Sequence, residues 1–184
     1  MKLFVSPHND DAALFAAFTL QREHPTVLTM FDSHVQVQRG HPECSADARR
    51  REDIQAMAVL GCTFDCGYVP DHLPRASAAE LVRACLMNWD GYADEIWIPA
   101  IEAGGHEQHN LVSEIALEVF KGKKISGYLT YTRTGGKSTW GNAVACSGAM
   151  VLQKLRALAC YRTQLEIDAL GCWPHFMDLR EYMV

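Results

Sequence analysis

Apolar positions along this chain switch repeatedly between two spacings. Leu3 to Ser6 is a short apolar run of the kind a buried strand needs, and from about Asp10 to Arg22 the spacing turns helical. Thr26 to Phe31 is strand-like again. Ala46 to Leu60 has helical spacing, with Ile54, Met57, Ala58 and Leu60 on one side and Gly61 as a stop signal. A weak strand over Thr63 to Val69 precedes a helix over Ala78 to Asn88, and Glu95 to Pro99 is a strand ended by its proline. Leu111 to Phe120 reads as a helix, Lys124 to Thr132 as a strand and Gly148 to Tyr161 as a helix. Strands alternating with helices predict an α/β fold, a Rossmann-like, mostly parallel sheet with helices on both faces. No repeat, low-complexity tract or linker interrupts the pattern, so residues 1–184 read as a single domain large enough to bury a substantial core. In such folds ligands sit beyond the carboxyl ends of the strands. The loops that follow strands are therefore where chemistry is expected.

Composition narrows the partners. With 48% hydrophobic and 21% charged residues the chain is an ordinary globular one. A formal charge of −5 leaves no electrostatic footprint for nucleic acid or an anionic membrane, although Arg49, Arg50 and Arg51 could still meet a small anionic substrate. The longest uncharged apolar run, Ala12 to Leu20, is too short to span a bilayer. The opening residues Met1 to Ser6 reach a proline and acidic residues at once, which is not the pattern of a signal peptide. Seven cysteines, an odd number without a secretory signal, imply reduced thiols and a cytoplasmic setting. Cys62 and Cys66 lack the second cysteine pair that a structural zinc site would need. The oligomeric state stays open, a homo-oligomer included.

Two loops carry candidate chemistry. Ser6-Pro7-His8-Asn9-Asp10-Asp11 follows the first strand and opens a helix. An aspartate there could simply cap the helix, but capping needs one carboxylate and no histidine three residues before Asp11. Adjacent aspartates repel unless a cation or a shared proton relieves them. The second loop runs from Pro99 to Asn110, after the Glu95–Pro99 strand, and holds Gly104, Gly105, His106 and His109. Two histidines three apart at a helix start can face one site. Together the loops could offer two imidazoles and a carboxylate, leaving metal positions open for water. That set suits catalytic zinc and equally the facial triad of non-haem iron.

Taken in order, these segments resemble the LmbE/PIG-L family of N-acetylglucosaminyl deacetylases, which includes the deacetylases of mycothiol and bacillithiol synthesis. The family's P/A-H-P-D-D-E loop stands here as Pro7-His8-Asn9-Asp10-Asp11-Ala12. Its arginine and glutamate three apart, on a helix ending in Leu-Gly, match Arg49 and Glu52 through Leu60-Gly61. Its proline, glycine loop and H-x-x-H match Pro99 through His109, and a late element resembles Tyr161-Arg162-Thr163-Gln164. The resemblance implies zinc held by His8, Asp11 and His109, with Asp10 as general base. It makes His106 the group that polarises the carbonyl or protonates the leaving amine, and it puts Arg49 in contact with the substrate. The implied substrate is a small N-acylated amino sugar or conjugate. Two departures stand out: Ala12 replaces a glutamate and removes a carboxylate beside the site, and Asn9 replaces proline, losing a fixed φ but gaining a hydrogen-bond donor.

Other residues invite plainer readings. The three arginines suit a solvated helix face, and His24, His34, His41, His72 and His175 show no partner pattern. Tyr128 and Tyr131 suit packing, though either could touch an oxyanion. Gly135-Gly136-Lys137-Ser138-Thr139 lacks the spacing of a phosphate loop, which excludes nucleotide hydrolysis on that motif. Trp140, Trp173 and Phe176 suit the core or the wall of a sugar site. The rival functions are a metal- and sugar-binding relative without turnover, for which Ala12 speaks, a non-haem iron oxygenase, and a phosphoacceptor switch, in which three histidines would have no use.

Overall fold

In a computed structural model of the protein, residues 1–32, 45–131, 138–166 and 178–184 are described. The elements are β1 (Lys2–Ser6), α1 (Asp11–Glu23), β2 (Thr26–Asp32), α2 (Ala46–Leu60), β3 (Thr63–Pro70), α3 (Arg75–Asp90) and β4 (Glu95–Pro99). They continue with α4 (Glu107–Val119), β5 (Lys124–Tyr128), β6 (Asn142–Ala143), α5 (Gly148–Leu158), α6 (Arg162–Glu166) and β7 (Tyr182–Met183). The sheet order is β3-β2-β1-β4-β5-β7-β6. The first five strands of that order are parallel, and β7 runs antiparallel to both β5 and β6. The expected mostly parallel sheet with helices on both faces is the one found.

Side chains of β1 point alternately to opposite faces. Phe4 enters an apolar cluster with residues of α1, α2 and α5, while Leu3 and Val5 enter a second cluster with residues of α3 and α4. β4 repeats the division, Trp97 facing the first cluster and Ile96 and Ile98 the second. A strand buried on both faces reads as a continuous apolar run, which is why β1 and β4 stand out in the sequence.

Several boundaries differ from the expectation. Helix α3 starts at Arg75, directly after Pro74, and α4 starts at Glu107, so His109 belongs to its first turn. β5 ends at Tyr128 and α5 at Leu158, both earlier than the periodicity suggests. The two-residue strands β6 and β7 carry too few positions for any period to show. On α2 the buried face is Arg49, Glu52, Asp53, Ala56, Met57 and Leu60, whereas Ile54 is 48% exposed. That face has ideal i, i+3, i+4, i+7 spacing once polar residues are counted in it. Counting apolar residues alone finds the buried Met57 and Leu60 but adds Ile54 and Ala58, which are exposed, and so turns the face away from Arg49, Glu52 and Asp53.

The strand order reverses between β1 and β4, whose successors lie on opposite sides of them. A crevice forms at such a switch point because the following connections depart to opposite faces. The loops after β1 and β4 are those that carry His8 to Asp11 and His106 to His109. No helix among the described residues is long and apolar enough to cross a membrane.

Candidate active site

The loop after β1 is fixed by its backbone. Phe31 N–H of β2 donates to Pro7 C=O at 2.8 Å, and Ser6 Oγ donates to His8 C=O at 2.9 Å. Asp10 occupies the cap position of α1, yet its side chain makes no capping hydrogen bond. Its φ is +87°, a conformation that costs a non-glycine residue about 1–3 kcal/mol and that persists where surroundings impose it. The surroundings here are a buried carboxylate, Asp53 of α2. It accepts from Asp10 N–H at 3.3 Å, Asn9 Nδ2 at 2.7 Å, Thr29 Oγ1 at 3.0 Å and Tyr161 OH at 2.6 Å. Asn9, the departure from proline, thus supplies a side-chain hydrogen bond that proline could not make.

Three donor atoms converge at the switch point. Asp11 Oδ2 lies 3.2 Å from His8 Nδ1 and 3.0 Å from His109 Nε2, and the two nitrogens are 3.1 Å apart. The outer nitrogens of both rings are engaged. Gln108 Nε2 donates to Asp71 C=O at 2.9 Å, which turns its Oε1 toward His8 Nε2 at 2.7 Å. His8 therefore carries its proton on Nε2 and presents a bare Nδ1 inward. His109 Nδ1 pairs with Thr130 Oγ1 at 3.0 Å, leaving Nε2 to face Asp11. Two inner imidazole nitrogens and a carboxylate oxygen at this spacing need a shared proton or a cation among them. Adjacent ligands of a tetrahedral zinc are about 3.4 Å apart, given bonds of ~2.0–2.1 Å. Donor chemistry and spacing both fit a metal ion. The outer partners, Gln108 and Thr130, are the kind that fix ring orientation in metal sites.

Electrostatics follow from burial and these neighbours. Burial pushes the Asp10 carboxyl up to about 8; Arg49, with Nη2 at 3.7 Å from Oδ2, opposes the rise, and Asp11 and Asp53 add to it. Burial alone would also raise Asp11, but His109 and His8 override it and hold that carboxyl well below the usual range. For His8, burial works against a charge, yet the hydrogen bond that a protonated Nδ1 makes to Asp11, together with the carboxylate's charge, outweighs it and raises its pKa.

His106 caps α4, its Nδ1 accepting from Gln108 N–H at 3.3 Å. The proton of the neutral ring is then on Nε2, so His106 meets a ligand as a donor rather than with a lone pair. Its ring centroid is 4.9 Å from those of His8 and His109, and ligand atoms of all three imidazoles lie within 4.8 Å of one another. Gly104 has φ +74°, and a Cβ on Gly105 would come within 3.0 Å of Glu102 C=O. Both glycines of this loop are thereby accounted for.

The remaining expectations sort cleanly. Arg49 is 5% exposed and donates from Nη2 to Asn9 C=O at 3.1 Å, so it lies beneath the β1–α1 loop beside Asp10. Arg50 makes two contacts of 3.0 and 3.1 Å with Asp32 and stacks on Tyr68. Only Arg51 of the three is a solvated residue. Tyr128 is buried with its OH on Val5 C=O, whereas the Tyr131 ring lies 5.4 Å from His109 and 6.2 Å from His106. Trp140 is 62% exposed and belongs to no core. His24 binds Gly61 C=O and His72 lies near Asp71, both at the surface. Burial pushes the Cys62 thiol up to about 12 and raises Cys66. His34, His41, Gly135, Gly136, Lys137, Trp173, His175 and Phe176 lie outside the described residues.

Sequence reasoning missed Asp53, Gln108 and Thr130. Glu52 and the Tyr161–Gln164 element likewise act as supports, Glu52 accepting from Thr163 N–H at 2.8 Å and from its Oγ1 at 2.6 Å.

A comparison with curated proteins gives no match. Among solved structures, the 4-carboxy-2-hydroxymuconate hydratase GalB from Pseudomonas putida KT2440 is 15% identical with a TM-score of 0.67, the match covering 96% of this chain and 83% of that one. A deacetylase involved in teicoplanin biosynthesis is 21% identical, TM-score 0.70, with 91% and 84% covered. The N,N'-diacetylchitobiose deacetylase from Pyrococcus horikoshii is 19% identical, TM-score 0.69, with 100% and 82% covered. At these identities the likeness is one of fold. The PIG-L family model, described as GlcNAc-PI de-N-acetylase, matches residues 3–120, a span that runs from β1 through α4 and contains both site loops. The chain therefore belongs to the PIG-L family.

Proposed function

We propose that this protein is a zinc-dependent hydrolase that removes an N-acyl group, the acetyl group above all, from a small amino sugar or its conjugate. The observation that carries the reading is the convergence of His8 Nδ1, His109 Nε2 and Asp11 Oδ2 with both outer ring nitrogens already engaged. Zinc bound by these three would supply a water of lowered pKa and a Lewis acid for the amide oxygen. Asp10, buried beside Asp11 and free of any capping duty, takes the proton of the attacking water. His106, with its proton on the nitrogen away from Gln108 N–H, donates a hydrogen bond to the amide oxygen, and the proton that Asp10 took from the water passes to the departing nitrogen. Arg49 meets a substrate oxygen only at the rim beside Asp10, given its 5% exposure. Water and amide are consumed; a carboxylate and a free amine leave. Free thiols at Cys62, Cys66, Cys85, Cys146 and Cys160 suit a cytoplasmic setting, with the chain working as a single domain.

The test is release of primary amine and acetate from N-acetylglucosamine and a panel of its conjugates. Release should stop with a chelator and return with zinc. The second reading, binding without turnover, rests on Ala12, which is 2% exposed and packed in the apolar cluster of α1, so no carboxylate stands there. Calorimetric binding across the panel without any amine would decide for it.

His106→Ala should retain zinc, lower kcat roughly a hundredfold and remove one limb of the pH–rate profile. A normal profile with near-native kcat would make His106 a bystander.

A further inference from the structure

Lys154 of α5 and Glu181 form an ion pair wholly withdrawn from solvent, both side chains 0% exposed and Nζ 2.8 Å from Oε1. Each such ion gives up roughly several kcal/mol of hydration, so a buried pair survives only where further hydrogen bonds complete it. Here the backbone of α1 supplies them. At Ala16 the chain leaves helical geometry, with φ −142° and ψ 16°. In an unbroken helix Phe18 N–H would donate to Leu14 C=O, four residues earlier. Instead, Phe18 N–H donates to the Glu181 carboxylate, 2.9 and 3.1 Å from its oxygens, and Leu14 C=O accepts from Lys154 Nζ at 2.8 Å. Each half of one missing helical bond is thus taken by one half of the ion pair. Insertion of side chains into the i→i−4 ladder is an established cause of a sharp kink.

The break separates a first turn, starting at Asp11, from the body of α1. Leu14 belongs to that first turn and is tied to the catalytic loop, its N–H donating to Asp10 C=O at 2.9 Å. Lys154 therefore holds by its carbonyl the turn that carries Asp11, while Glu181 holds the start of the helix body. Asp11 Oδ2 sits 3.0 Å from a nitrogen on the first turn of α4 and 3.2 Å from one on the β1–α1 loop, a fit that rotation of the first turn of α1 would open.

We propose that Lys154 and Glu181 are positioning residues for the metal donor Asp11, fixing the angle of the first turn of α1 by occupying its broken hydrogen bond. The inference rests on Asp11 being a donor. Its test is zinc affinity, measured by competition with a chromogenic chelator, in Lys154→Met/Glu181→Met. The apolar pair removes both insertions without leaving an unpaired buried charge. It should fold, as circular dichroism and a cooperative thermal transition would show, and bind zinc roughly tenfold or more weakly. A merely structural ion pair would change the transition but not the affinity of the folded protein, and native zinc affinity in the folded double variant overturns the proposal. Should that variant not fold, Lys154→Met/Glu181→Gln removes the tie to Leu14 C=O while Gln still offers an acceptor to Phe18 N–H, and it leaves no buried charge. Its zinc affinity should fall roughly tenfold, and native affinity would overturn the proposal instead. Asp11→Ala in the same assay separates the two ideas. If it binds zinc like the native chain, the donor assignment fails and the positioning role falls with it. If it loses zinc while the apolar pair does not, the positioning role alone fails.

Discussion

Asp10→Asn should leave zinc in place and cut turnover by roughly 10² to 10⁴, the usual reach of acid–base help. The substitution keeps the shape of the side chain and removes its charge and its capacity to take a proton. Nothing else in the local structure depends on that capacity. The side chain of Asp10 makes no capping bond, and the strained backbone at φ +87° is held from outside by Asp53 on its N–H. In the proposed site the donor atoms are those of Asp11, His8 and His109, so the metal content found by elemental analysis should match the native protein. Arg49, 3.7 Å away, keeps its bond to Asn9 C=O and does not depend on the charge for its place. Parallel loss of metal and activity would show that the two aspartates share the ion.

The parts of this protein legible in its sequence are those where one residue type has one physical use. β1 and β4 are buried on both faces and read as apolar runs, and the chemistry at their ends shows as histidines and carboxylates with no other task. Their meeting could be expected only from the rule that ligands collect beyond strand ends. What stayed hidden are polar residues that work from inside. Asp53 lies on a helix among charged neighbours, and its four hydrogen-bond donors come from three separate stretches of chain. Gln108 looks like any exposed helical glutamine until its amide is seen joining His8 to Asp71 C=O. The face of α2 was misjudged for the same reason, since the buried stripe includes Arg49, Glu52 and Asp53. One signal was available: the spacing 49, 52, 53, 56, 57, 60 is a complete helical stripe once its polar members are allowed to be buried.

Replacing His109 by alanine should strip the metal and abolish turnover, the largest effect expected of any single change. His109 is 1% exposed, and its orientation is set on both sides, by Thr130 at Nδ1 and by Asp11 at Nε2. Its loss takes one of three donors, and the penalty should exceed the roughly 10–100-fold that changes in outer-shell partners cost. The variant also leaves Asp11 buried with His8 alone beside it. Comparing thermal midpoints of native and variant chains in chelator isolates that structural cost from the metal's own contribution. Elemental analysis of the folded variant then gives the metal content directly. The critical contrast is with His106, whose ring is as near to His8 as that of His109. If His109→Ala keeps its metal and His106→Ala loses it, the third donor is His106. Its bond from Gln108 N–H would then be too weak to dictate the tautomer, and the hydrogen bond to the amide oxygen would have to come from elsewhere. If His109→Ala is empty and His106→Ala full, the two histidines of the H-x-x-H pair divide as their hydrogen bonds indicate, one holding the ion and the other facing the substrate.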